Sequence, residues 1–218
     1  MSATIIAVVN QKGGSGKTST TMQLAGAWAR RNYKCMVVDA DPQNTSVTWA
    51  STAPEDNPFP ASVINLSEAK GKLPQLIKPY VDDYDIIIVD CPPSLESKTP
   101  LSILMVADIA LVPVLPSPPD IWASIGITEI IDHAKSVINE DLQVRIILNQ
   151  VVSKRTLSND ALDVLKEFPY SLSENKLHQR ESYRQSAAIG GTVHDLGSKA
   201  KLAINEVENL ATEIEKLF

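Results

Sequence analysis

A doubly wound α/β domain, with a mostly parallel sheet and helices on both faces, is predicted by three observations. Five short runs rich in Val, Ile and Leu recur along the chain without polar alternation, as strands covered on both faces require. Helix-length segments separate them, the mark of strand–helix–strand repetition. The first three runs each end directly in glycine or polar residues. Right-handed crossovers bring strand C-termini to one edge, and ligands of such sheets bind outside that edge.

The elements follow in order. Residues 4–9 read as the first strand, leading through a glycine-rich turn into a helical pattern that runs to Arg31. Residues 34–39 form the second run and residues 85–90 (Asp-Ile-Ile-Ile-Val-Asp) the third. Residues 107–115 and 144–149 are the fourth and fifth, with helical segments at 121–139 and 159–167. The proline-rich stretch 112–119 is expected to be a stiff loop after the fourth strand, and residues 53–60 a surface loop. No repeat or low-complexity segment interrupts the chain, so residues 1–218 are expected to be a single domain.

Composition narrows the class. Of 218 residues, 44% are hydrophobic and 21% charged, enough to bury a core without disulfides or a structural metal. Cys35 and Cys91 fit no metal-ligand spacing and sit beside apolar runs, so reduced core thiols are expected. With no histidine indicated near Cys91, it reads as a bystander rather than a nucleophile. Neither a signal peptide nor a membrane span is expected, which points to the cytoplasm. The net charge of −6 argues against a broadly basic surface, yet residues 150–201 hold eight Lys/Arg against six Asp/Glu.

The chemistry concentrates after the first strand. The general phosphate-loop pattern G-x-x-x-x-G-K-[ST] fails at its first position, where Gln11 stands. Its working part survives. Gly13, Gly14 and Gly16, with Ser15 between them, let backbone N–H groups converge on phosphate oxygens. The helix starting near Gly16 adds its positive end. Lys17 neutralises β- and γ-phosphate charge, and the Thr18 hydroxyl, followed by Ser19, suits Mg²⁺. Residues 86–90 form an apolar strand ending in Asp90, the second metal-binding candidate.

The whole stretch Asn10-Gln11-Lys12-Gly13-Gly14-Ser15-Gly16-Lys17-Thr18 closely resembles the deviant Walker A motif of the ParA/MinD superfamily of P-loop NTPases. The resemblance implies ATP and Mg²⁺ as ligands and a homodimer when ATP is bound, with Lys12 reaching the partner's phosphates. Asp39-Ala40-Asp41-Pro42-Gln43 is similar to the second signature, in which Asp41 would orient the attacking water and Asp39 would lie near Mg²⁺ or its water shell. Cys91-Pro92-Pro93-Ser94 matches a turn near the γ-phosphate. Asn149 occupies a position that hydrogen-bonds adenine in relatives, or else is a strand-end turn residue. Residues 169–171 through Gln179 and Arg180 would be the last strand and the loop closing the adenine pocket, with the family's late helix and turn over 180–193.

Branches of the superfamily differ in what they touch. The C-terminal segment carries Ile204, Val207, Leu210, Ala211, Ile214 and Leu217 at helical spacing. Its charges are Glu206, Glu208, Glu213 and Glu215 against Lys216, so anionic lipid would repel it and a core helix is expected rather than a MinD-like anchor. Two cysteines do not supply a bridging iron–sulfur cluster. A small ParA-type partition ATPase without an N-terminal DNA-binding domain is the resemblance that remains. It implies non-specific DNA as track, a ParB-like or cargo-adaptor partner, and a nucleoid-associated location. Lys154, Arg155, Lys176, Arg180, Arg184, Lys199 and Lys201 are the candidate DNA contacts. A ligase of dethiobiotin-synthetase type is the alternative from another class.

Overall fold

The apolar runs form β1 (Thr4–Val8), β2 (Cys35–Asp39), β4 (Ile86–Asp90), β5 (Ile109–Val114) and β6 (Gln143–Leu148), joined by a short β3 (Ser62–Asn65). The computed structural model describes residues 2–93, 98–152, 165 and 168–218. Its six strands make one sheet in the order β3-β2-β4-β1-β5-β6, parallel at every pairing. The expected class is therefore the observed one.

Alternate strand residues explain why the runs lack polar positions. Ala7, Val38, Val89, Val112 and Ile146 face one core, beneath Ile77 of α3 (Leu73–Ile77), Ile103 of α4 (Lys98–Leu104) and Ile127 and Ile131 of α5 (Pro118–Val137). Their neighbours Ile6, Val8, Val37, Ile88 and Ile147 face the other core. That side is closed by Met22, Leu24 and Trp28 of α1 (Lys17–Arg30) and by Val207, Leu210 and Ile214 of α7 (Lys201–Glu215). Each fully buried isoleucine contributes about 1.5–3 kcal/mol relative to exposure, so both faces hold the sheet. Two further helices, α2 (Thr45–Ser51) and α6 (Glu181–Ala188), stand at the strand C-terminal edge.

Three expectations need correction. β3 was not foreseen; only Val63 and Ile64 in its four residues are apolar and half-buried, and it forms by pairing with β2 at the sheet edge. The stretch 112–119 is not a loop, since Val112, Pro113 and Val114 lie in β5 while Pro118 and Pro119 open α5. Pro113 lies past the last register pair of β1 with β5, Val8–Leu111, and its carbonyl accepts from the Asn10 side chain at 2.7 Å. No strand forms at 169–171, where the neighbouring chain makes only the isolated bridges Ile146–Leu172 and Val151–His178. The helix expected over 159–167 lies outside the described residues except for Leu165.

One polar anchor ties the second core together. Arg31, just past the end of α1, donates to the Glu208 carboxylate, the Glu208 carbonyl and Glu215, all on α7. Arg31→Ala is expected to cost about 1–3 kcal/mol, because partly buried charge-assisted bonds are lost and two carboxylates are left behind. A lower thermal midpoint with unchanged nucleotide affinity is the expected result; denaturation and nucleotide titration of the same preparation check it.

Candidate nucleotide-binding site

The parallel register places the site. Val8, Asp90 and Asp39 are aligned across β1, β4 and β2, three adjacent strands ending on one edge. From that edge β1 runs into the loop 10–16, and α1 begins at Lys17.

The loop is held by its outer side. Asn149 Nδ2 donates to the Ser15 carbonyl at 2.8 Å and Gln150 Nε2 to the Gly14 carbonyl at 3.1 Å, both from the end of β6. Among the described residues no partner meets the backbone N–H groups of Gly13, Gly14, Ser15 and Gly16. Those groups are left to bind an anion, as phosphate cradles do. Gly16 has φ +91°, and a Cβ there would lie 1.9 Å from Asn149 Nδ2. Glycine is thus required twice, by conformation and by space. Asn149 accepts from the Gln150 N–H at 2.9 Å as well, so half of its amide is engaged, with one N–H and one lone pair to spare.

The loop entrance is moored to α5. Asn10 Nδ2 donates to Ser124 Oγ at 3.0 Å while its Oδ1 accepts from the Lys12 N–H at 3.0 Å. Gln11 Nε2 donates to the Ala123 carbonyl. The Lys12 ammonium lies 3.3 Å from Asp120 Oδ1. Lys17, by contrast, is buried and turns its Nζ toward the Lys12 carbonyl at 3.4 Å. Burial holds the Lys17 ammonium below its ordinary pKa, with Asp90, Cys91 and Asp41 opposing that shift.

Behind the loop stands Asp90, fully buried, whose Oδ2 accepts from Thr18 Oγ1 at 2.7 Å and from Ser46 Oγ at 2.9 Å. Its Oδ1 is buried without a partner among the described residues. Burial pushes this carboxyl up to about 7, against the pull of the two hydroxyls. A dication would reverse that penalty, and Thr18 and Asp90 are a donor pair that fits Mg²⁺. No cluster of three or more His, Cys, Asp or Glu able to hold a metal occurs among the described residues. Mg²⁺ would complete its shell with phosphate and water, as it commonly does.

Asp39 is buried beside Asp90, but its oxygens are engaged by the Asp41 N–H at 3.2 Å and the Val47 N–H at 3.0 Å. It shapes the turn and caps α2, which places Ser46; burial raises its pKa as well. Asp41 is half-exposed, with Oδ1 held by the Gln43 N–H at 3.0 Å. Cys91 is buried and burial pushes its thiol pKa up, in keeping with a bystander. Ser94 lies outside the described residues.

Next to Gly16 and Ser19 a cavity of about 260 Å³ is lined by Asn149, His178, Gln179, Tyr183 and Arg184. Arg180, Lys199 and Lys201 border a shallow groove beside α6, and Arg180 also lines the cavity beside Gly16 together with Arg184. The Arg180 guanidinium is committed to Glu206 at 2.5 Å. Lys176 is exposed elsewhere, and Lys154 and Arg155 lie outside the described residues.

The residues overlooked in the sequence are Ser46, Gln150, Ser124 and Asp120. None carries a local signal, because each acts on a segment more than 40 positions away.

A parallel sheet, a glycine loop feeding a helix, and a buried aspartate facing a threonine define a P-loop nucleotide-binding protein. The chain belongs to the CobQ/CobB/MinD/ParA nucleotide binding domain family, which it matches over residues 6–209. It is 28% identical over 219 residues to the maintenance of carboxysome distribution protein A of Halothiobacillus neapolitanus, covering 96% of this chain and 95% of that protein. It is 30% identical over 199 residues to the chromosome partitioning protein ParA of Myxococcus xanthus, covering 75% and 69%. Among solved structures, apo McdA of Cyanothece has a TM-score of 0.77 at 18% identity, covering 97% of this chain and 98% of that one. The cell division ATPase MinD of Pyrococcus furiosus has a TM-score of 0.74 at 23% identity, covering 99% and 100%. ATP and Mg²⁺ are ligands of this family: neighbouring structures hold ATP, in McdA, or Mg-ADP, in MinD of Pyrococcus horikoshii.

The raised pKa of Asp90 has a definite sign. A carboxyl whose folded pKa exceeds its unfolded value of 3.8 favours folding fully below that value and loses this contribution as pH rises through about 7. The ligand-free protein is therefore expected to lose thermal stability across this window, and Asp90→Asn to flatten the loss. Mg²⁺-dependent stabilisation should run the opposite way, growing with pH because the metal needs the anion. Thermal denaturation at several pH values, with and without Mg-nucleotide, checks both slopes.

Proposed function

We propose that this chain is a Mg²⁺-dependent ATPase of the ParA type, in which ATP joins two copies across their phosphate loops and hydrolysis parts them. The observation that carries this reading is the second cation of the loop. Lys17 already serves the chain's own phosphate cradle, yet Lys12 places another ammonium at the loop entrance, 42% exposed and, among the described residues, held only by Asp120. An additional cation able to reach a partner's phosphates is what an ATP-bridged dimer uses.

Residues of each subunit divide the work. The loop N–H groups and Lys17 bind the β- and γ-phosphates. Thr18 and Asp90 would hold Mg²⁺, with Asp39 behind in its water shell, and the ion when bound supplies charge neutralisation at the phosphate oxygens. Asp41, with one carboxylate oxygen free of the turn, orients the water that attacks the γ-phosphorus. Asn149 and the cavity beside Ser19 receive adenine. Turnover is slow until a ParB-like or cargo-adaptor partner completes the site.

The joined state binds non-specific DNA, so that the protein works in the cytoplasm on the nucleoid and positions a cargo. Relatives named for carboxysome distribution and chromosome partitioning support that role. Because Arg180 is held by Glu206 and Arg184 lies 3.5 Å from Glu181, DNA contact in this reading rests chiefly on Lys199 and Lys201. A membrane-surface role is disfavoured because the apolar face of α7 is packed in the core; no helix among the described residues is long and apolar enough to cross a membrane.

Lys12→Ala and Asp41→Ala are each expected to lower ATP hydrolysis about a hundredfold with the melting point unchanged; wild-type turnover in both would refute the assignment. ATP-dependent DNA retention should fall with salt and be lost in a Lys199→Glu, Lys201→Glu double variant. Equal retention with ADP would remove the switch, and unchanged retention in the double variant would move the DNA surface elsewhere.

A further inference from the structure

Three successive loop residues dock on the first two turns of α5, and they do so in different ways. Asn10 and Gln11 bind Ser124 and Ala123 through uncharged hydrogen bonds. Lys12 alone is held by charge, 3.3 Å from Asp120 Oδ1, with 42% of its side chain and 25% of that of Asp120 exposed. Asp120 is itself fixed, since its Oδ2 accepts from Ser117 Oγ at 2.6 Å at the helix start. Asn10 and Gln11 can keep the loop in place while the lysine side chain leaves. The Lys12 backbone stays too, tied to Asn10 Oδ1.

We propose that Asp120 is the resting counter-ion of Lys12, a positioning residue that holds the ammonium against α5 in the single chain and sets how readily it is released to the phosphates of a second copy. The inference rests on the dimer-switch reading above. A solvent-exposed pair at this distance is weak, a factor of about two to five in an equilibrium. That is strong enough to bias Lys12 away from a lone subunit's phosphates and weak enough for a nucleotide-loaded partner to overcome. Removing the negative charge therefore favours the dimer, unlike the loss of a residue that merely supports the helix.

The test measures the dimer dissociation constant by sedimentation at saturating Mg²⁺ and a non-hydrolysable ATP analogue, for wild type, Asp120→Asn, Asp120→Glu and Ser117→Ala. Two lysines are released per dimer, so Asp120→Asn is expected to tighten the constant about four- to twenty-fivefold. The gap should narrow as salt screens the pair. Asp120→Glu, which keeps the charge, and Ser117→Ala, which keeps the carboxylate, should behave as wild type. Asp120→Ser supplies a second uncharged variant should the amide disturb the helix start. A constant unchanged or weakened in the uncharged variants, with wild type dimerising, overturns the role of Asp120 alone. A wild type that stays monomeric with the analogue overturns the switch reading along with it.

Discussion

A carboxylate sealed at the end of β4 sets the terms for the site around it. Isolated in a dry interior, an anion costs several kcal/mol, and only donors or a counter-charge offset that. Asp90 draws one hydroxyl from the first turn of α1 and another from the first turn of α2, both onto the same oxygen. Its other oxygen is left over. The start of each helix is thereby tied to β4, and the orphaned oxygen fits the place where a metal would be most strongly bound. With Lys17 also buried nearby, the pocket is arranged around charge that nucleotide and metal together would balance.

This constraint explains which parts were legible in the sequence. The glycines, lysine and threonine of the loop follow one another at fixed short spacing, so that spacing alone conveyed the phosphate-binding chemistry, although Thr18 meets Asp90 only once the sheet is formed. The strand ends Asp39 and Asp90 could be paired from topology, because parallel strands must finish together. Ser46 could not, since a serine on a helix looks like solvated surface until β4 is placed beside it. Asp39 was anticipated near metal, yet both its oxygens receive backbone N–H groups; a strand-end carboxylate facing a helix start satisfies orphan donors there. The prolines misled as well. Pro113 stands inside β5, past its last register pair with β1, so the proline did not mark the end of the strand.

Gln11, which in sequence registers only as a lost glycine, has a positive role in the fold. Its side chain reaches the Ala123 carbonyl and packs against Gly126, where a Cβ would lie 2.8 Å from the Gln11 amide. Asn149 and Gln150 hold the loop's carbonyls from the other side. The loop thus has an inner surface of free N–H groups and an outer surface bound to β6 and α5. The loop is thereby braced from β6 and from α5 at once.

The acidic C-terminal helix requires a different argument from the one its composition invites. Glu206 takes Arg180, His178 and Tyr183; Glu208 takes Arg31 and His194; Glu213 takes Ser173 and Asn175; Glu215 takes Arg31. These carboxylates are internal fasteners between α7 and the segments that border α1 and the cavity beside Gly16. Val207, Leu210 and Ile214 of the helix already fill a core, so this apolar stripe is covered from within. For the same reason the net charge of −6 overstates the free acidity on this side of the molecule. Lys199 and Lys201, exposed just before and at the start of that helix, face solvent beside carboxylates that are already neutralised. A basic surface can therefore exist on a formally acidic protein, and its field should be judged from the unpaired charges rather than from the sum.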